Sequence, residues 1–328
     1  MIEILSCGPL ITVQDHGRPG WLSQGLAQGG AADRLALAEA VALLGPGAGA
    51  GLEIPGAPLR LKLHVPTTIA LTGAPMRAEA DGRPLVWHAA HPLPAQTVLD
   101  LRPTGQGSYS YLHVDGGLST EEVLGSRAAH RIAGIGDALQ QGDTLPCKAG
   151  GGGAARRLDT APTRFDGGEL RLVPTPQTRL FSDEERARFC DTAFVRDPRG
   201  NRQGVRLASD GAGFATQGQL TLLSDFILPG DVQMTGDGVP YILGPECQTT
   251  GGYPRIGSVI AVDLPRALQA PPGATFRFRF VTVEEARGLM PARPVAVPLV
   301  RDPADVPNLL SMQLISGVVS AQSPEDMP

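Results

Sequence analysis

The residues best suited to chemistry lie in one stretch, Cys247–Gln269, which reads CQTTGGYPRIGSVIAVDLPRALQ. Gln248, Thr249 and Thr250 set amide and hydroxyl donors and acceptors side by side. Gly251 and Gly252 follow, and without a Cβ they let another molecule approach the main chain, where an anion or a carbonyl could be cradled. Tyr253-Pro254 stiffens the exit, because proline fixes its own φ and biases its predecessor toward extended backbone. The same residue types form ordinary turns, so a plain hairpin loop is the competing reading. After the loop, SVIAVDL reads as a buried strand closed by Asp263 and Pro265.

Other candidates are scattered along the chain. Asp15 and Arg18, in the turn DHGRPG, lie close enough in sequence to pair with each other or to bind a carboxylate, and Asp15 is also a catalytic candidate. His113 ends a strand before Asp115-Gly116-Gly117 and is a candidate acid/base. Glu53 and Asp263 sit at strand edges, where burial would make either a general base. Gln233, in PGDVQM, is a candidate amide-binding residue, and Arg202 and Arg206 read as a charged turn. The six histidines and four cysteines show no metal-ligand spacing, so no metal site is expected. There is no G-x-x-x-x-G-K-[ST] and no G-x-S-x-G. Neither Lys62 nor Lys148 lies between methionines, as a biotin-attachment lysine would.

The elements that must position these residues read as short strands. LRLKLHV, TTIALTG, PLVWHA, TVLDLRP and SYSYLHVDGG recur with Gly and Pro between them, the rhythm of a β-barrel or sandwich. The second half repeats it with GVRLAS, VQMTG, VPYILG and TFRFRFVT, the last with three Phe on one face and two Arg on the other. Asp33 caps a helix through Leu44, and capping boxes start further helices at Ser119, Ser182 and Thr282. The Gly run AGGGGAARR, residues 149–157, separates domains at 1–150 and 158–290, with a tail at 291–328 ending in LLSMQLISGVVSA. With 42 Gly, 30 Pro and a net charge of −5 carrying no basic cluster, the chain reads as folded, rich in turns and not nucleic-acid-binding. No apolar run of membrane length and no leader pattern occurs, so a cytoplasmic protein is expected.

VQDHGRPG, GGAADRLAL, SDFILPGDVQM and QTTGGYPRIGSVIAVDLPRALQ together resemble the allophanate hydrolase subunit 2 family, which is also called the C subunit of 5-oxoprolinase. They are similar as well to the second half of the carboxyltransferase domain of urea carboxylase. The chain departs from the family pattern at Ala32, where Met is usual, and at Glu246-Cys247, where an acidic-Arg pair is frequent. The resemblance implies a mainly β protein, two cyclophilin-like β-barrel domains with a few short helices. It implies two partner proteins, like the A and B subunits of 5-oxoprolinase, and an ATP-dependent opening of 5-oxo-L-proline to L-glutamate. Phosphate would activate the lactam oxygen before water adds. It implies that Asp15, Arg18 and the loop Gln248, Thr249, Thr250, Gly251, Gly252, Tyr253 hold the substrate's carboxylate or amide. Two alternatives remain. One is a biotin-dependent carboxyltransferase half whose biotin is supplied by another chain. The other is a non-catalytic, regulatory partner of a kinase inhibitor resembling the 5-oxoprolinase B subunit.

Overall fold

A computed structural model describes residues 1–147, 153–216 and 222–300. Strand alternation builds most of it. Leu59–Leu63 buries its three leucines and exposes Arg60, while Thr275–Phe280 buries Phe276 and Phe278 and turns Arg277 and Arg279 outward.

The first half forms two sheets. Six strands run in the order Thr144–Leu145, Ile2–Cys7, Leu59–Leu63, Val98–Pro103, Met76–Ala80, Arg83–Leu85. Seven run in the order Thr12–Gln14, Gly51–Ile54, Ser110–Val114, Thr67–Gly73, Ala89–Leu93, Arg156–Leu158, Ala296–Pro298. Both feed one apolar core, Ile4, Leu61 and Leu99 from the first meeting Leu52, Ile69 and Leu112 from the second. In the second half, seven strands between Gly167–Val173 and Thr275–Phe280 close a barrel. Its core is aromatic: Phe189 and Phe194 lie 4.9 Å apart by ring centroid, and Phe189 and Phe278 4.8 Å. The protein is thus mainly β, with four short helices among the described residues. None of these is long and apolar enough to cross a membrane.

The seven-stranded sheet takes its last two strands from beyond residue 150. Arg156–Leu158 pairs with Ala89-Ala90 and then with Ala296–Pro298, so segments on either side of the barrel return to the first unit. Lys148 and residues 149–152 of the Gly run, and the tail from 301 with its LLSMQLISGVVSA stretch, lie outside the described residues.

Helix α1 (Arg34–Leu44) starts where Asp33 accepts the amides of Leu35 and Ala36, and Ser182 and Thr282 likewise cap α2 (Asp183–Asp191) and α4 (Val283–Gly288). Ser119 starts no helix. The chain there reverses at Val123–Ser126 with Leu124 and Gly125 at positive φ, and the Arg127 guanidinium takes the Thr120 carbonyl. So short a segment cannot offset helix nucleation once its backbone has other partners. SVIAVDL is also corrected: the strand is Arg255–Val259, and Pro265 opens helix α3 (Leu264–Gln269), where its missing N–H costs no hydrogen bond.

A buried polar seam ties the two units together. Asp33 accepts from Arg164 Nε at 2.6 Å and from Gln269 Nε2 at 2.8 Å, and Arg164 Nη1 reaches Glu39 at 2.6 Å. Beside it, Arg202 donates to Glu246 at 2.6 Å, to the Gly30 carbonyl at 2.7 Å and to Glu53. The Tyr111 hydroxyl completes this second cluster on Glu53 Oε2 at 2.6 Å.

Candidate functional site

A groove of about 350 Å³ lies at the barrel rim, lined by Asn201, Gln233, Tyr241, Cys247, Gln248 and Tyr253 among others. Gln233 belongs to the strand Asp231–Met234, opposite Tyr241, and the register with the strand Arg255–Val259 slips between Val232 and Gln233. Such a bulge re-aims the side chain it carries. The Gln233 amide nitrogen is buried and has no acceptor. Burial pushes the Cys247 thiol up to about 12, with the Asp231 carboxylate adding to it, so this wall of the groove is neutral.

The Gln248–Tyr253 loop is held as a ribbon. Thr250-Gly251 pairs with Asp225-Phe226, and Arg255 braces the pair. Its guanidinium reaches Asp225, the Phe226 carbonyl at 2.7 Å, Asp231 at 3.2 Å and Gln177 at 3.2 Å. Gly251 matters by contact and not by its dihedral: a Cβ there would meet the Gln233 amide nitrogen at 2.7 Å. Gly251→Ala should therefore push that amide aside. We expect the affinity of the groove for a bound ligand to fall roughly tenfold, about 1.4 kcal/mol, with the melting temperature nearly unchanged; an unaltered affinity would break the link between Gly251 and Gln233.

The structure brings Gln233, Gln248 and Tyr253 to one groove, while Thr249 and Thr250 face a second concavity on the other side of the loop, with Gln248 at its edge. Gly252 borders Ser224 and lines neither. Asp15 and Arg18 do not pair. Asp15 accepts from the Gly17 amide at 2.8 Å, the Ser126 hydroxyl at 2.6 Å and the Arg127 amide at 2.7 Å, which makes it a lock between two loops. Arg18 is buried and donates to the carbonyls of Val123 and Ala128.

The other two catalytic candidates stand apart from the groove. Asp263 holds Arg171 through two contacts, 2.8 and 2.6 Å, and faces a separate cavity with Arg171 and Arg266. His113 has no exposed surface; its ring lies so close to Gly51 that a Cβ there would meet Nδ1 at 2.5 Å. As an acid/base it has no route to a ligand. Burial lowers its pKa to about 4, only partly offset by the backbone of Ala48 and Gly49. A folded-state pKa below the unfolded 6.5 gives stability that is present above pH 6.5 and lost as pH falls toward 4. The full span corresponds to about 3 kcal/mol as an upper bound. His88, lowered to about 4 chiefly by burial, adds in the same direction. Denaturation series at pH 7 and pH 4.5 should show this loss, and His113→Leu should shrink it; an identical pH slope in that variant would contradict the assignment.

Asn201 and Tyr241 on the groove, and His130 behind the loop, were not singled out from sequence. His130 stands alone in AAHRIAG with no spacing signal, and Glu246 shows its role only through Arg202.

A closed barrel carrying an amide-lined groove, joined to a two-sheet unit by buried ion pairs, defines a β-rich architecture. Residues 24–280 match the carboxyltransferase domain family, subdomains A and B, and the chain belongs to it. It is 33% identical over 296 residues to the C subunit of 5-oxoprolinase from Escherichia coli (strain K12), covering 87% of this chain and 93% of that one. It is 30% identical over 324 residues to the protein of the same name from Haemophilus influenzae, covering 94% of this chain and all of the relative. Among solved structures, K. lactis urea amidolyase shares the fold with a TM-score of 0.78 at 22% identity, over 87% of this chain but 19% of that much longer one.

Proposed function

We infer that this chain is one component of an ATP-dependent 5-oxoprolinase, which opens 5-oxo-L-proline to L-glutamate together with partners like the enzyme's A and B subunits. The observation that carries the reading is the buried Gln233 amide, an N–H without an acceptor beside a groove large enough for a five-membered lactam. The two relatives named as the 5-oxoprolinase C subunit, aligned over nearly their whole lengths, support it.

In this reading Gln233 donates to the lactam oxygen, and Gln248 and Tyr253 at the mouth orient the ring. The reaction breaks the lactam C–N bond and adds water. ATP supplies the phosphate that activates the carbonyl oxygen and leaves as ADP and phosphate. Since Asp15, His113 and Asp263 do not line the groove, we assign the group that activates water to the B-type partner. The chain carries no phosphate-cradling G-x-x-x-x-G-K-[ST], and we assign the nucleotide to a partner as well.

Glutamate release from 5-oxo-L-proline, with this chain alone, with the B-type partner and with both partners, tests the reading. Release only in the complete, ATP-containing mixture is expected; no release in any mixture would reject it. The family description favours one other reading, carboxyl transfer from carboxybiotin on another chain to urea or a similar amide. Carboxylation of urea with added carboxybiotin would then replace glutamate release.

A further inference from the structure

Behind the Gln248–Thr250 segment, two buried N–H groups lack acceptors. Arg18 is 1% exposed; its Nε and Nη2 serve the carbonyls of Val123 and Ala128, and Nη1 has no partner. His130 is 3% exposed, and its Nδ1 accepts the Ala133 amide at 3.3 Å. That bond places the proton of the neutral ring on Nε2, which has no partner either.

Both groups close over Gly29. A Cβ built there would lie 3.0 Å from His130 Cδ2 and 3.7 Å from Arg18 Nη1, and φ is +64°. A side chain at residue 29 would press on the His130 ring and on Arg18 Nη1 together. Glu246 is the carboxylate near both, and Asp15 also acts on Arg18; Glu246 Oε1 receives Arg202 Nε at 2.6 Å, and neither carboxylate hydrogen-bonds Arg18 Nη1 or His130 Nε2. A cationic guanidinium and a fixed imidazole N–H together select an acceptor, and an anion above a neutral one.

The surroundings connect this pair to the groove. His130 lines a concavity of about 460 Å³ with Gln248, Thr249 and Thr250, and Arg18 lines one of about 150 Å³. The two share Leu26, Ala27 and Cys247, and Cys247 and Gln248 also wall the amide groove.

We propose that Arg18 Nη1–H and His130 Nε2–H form an anion subsite beside the amide groove, taking a carboxylate or phosphate oxygen of its ligand. Assigning that oxygen to an acidic lactam rests on the function inferred above. The resemblance implied Arg18 as a carboxylate holder; His130 as its partner over Gly29 comes from the structure.

Nitrogen-15 NMR of histidine rings and glutamine side-chain amides in the full chain tests this with three probes. They are 5-oxo-L-proline, pyrrolidin-2-one (the lactam without its carboxylate) and inorganic phosphate. We expect 5-oxo-L-proline to move both the Gln233 amide and the His130 Nε2 signal and to raise the His130 pKa by about one unit. Pyrrolidin-2-one should move Gln233 alone. His130→Leu should weaken anion binding roughly tenfold, whereas His130→Gln, which keeps a side-chain N–H, should retain it. If phosphate moves His130 and 5-oxo-L-proline moves neither signal, the subsite stands as a phosphate site and the lactam reading falls. If 5-oxo-L-proline moves Gln233 and leaves His130 unchanged, the subsite is overturned and the lactam reading survives. Stillness of His130 with both anions overturns the proposal.

Discussion

Gln233→Leu should lose activity and gain stability. In the unliganded protein the Gln233 amide nitrogen is buried without an acceptor, which costs about 1–3 kcal/mol. A leucine of similar size removes that cost, so unfolding by urea should require about 1 kcal/mol more than in the wild type. In the complete reaction mixture the same change removes a donor to the lactam oxygen, and kcat/KM should fall about 10- to 100-fold. The opposite signs separate a ligand-binding role from a structural one. A purely structural glutamine would lose stability, activity or both together. A variant with normal turnover would take Gln233 out of the site.

The second large effect concerns the seam. Arg202→Met should destabilise the protein by about 3–5 kcal/mol in urea unfolding, because it strands Glu53 and Glu246 in the interior. The charge, and not the packing, carries this cost, since Met fills much of the same volume. Adding Glu53→Gln and Glu246→Gln to the Met variant should therefore recover a large part of the loss. A triple variant no more stable than Arg202→Met would show that shape and the Gly30 hydrogen bond matter more than the paired charges.

How much of this was legible in the sequence follows the range of the interactions. Asp33, Ser182 and Thr282 cap helices through amides two or three residues away, and those starts could be read directly. Phe276 and Phe278 alternate with Arg277 and Arg279 on one strand, which is also local information. The Ser119 box failed because Arg127, seven residues on from Thr120, occupies the Thr120 carbonyl. Asp15 and Arg18 looked like partners at three residues' separation, yet apart from the Gly17 amide on Asp15 their side-chain partners lie 105 to 112 residues along the chain.

The candidate site divides the same way. The run from Gln248 to Tyr253 is marked by its own composition, and Gln233 by its place after PGDV. That Gln233 and Gly251 touch, however, depends on a register slip between two strands, and no single segment encodes it. His113 carries the residue type of an acid/base and sits at the end of a promising strand, but burial on a central strand of the seven-stranded sheet decides its chemistry. Tertiary burial of that kind is invisible to local pattern.

The measurement that bears most directly on the central claim is a crystal structure of the full chain with 5-oxo-L-proline. The account predicts the lactam oxygen roughly 3 Å from Gln233 Nε2, with the ring between Gln248 and Tyr253. Ligand bound elsewhere, with the Gln233 amide still lacking an acceptor, would contradict it.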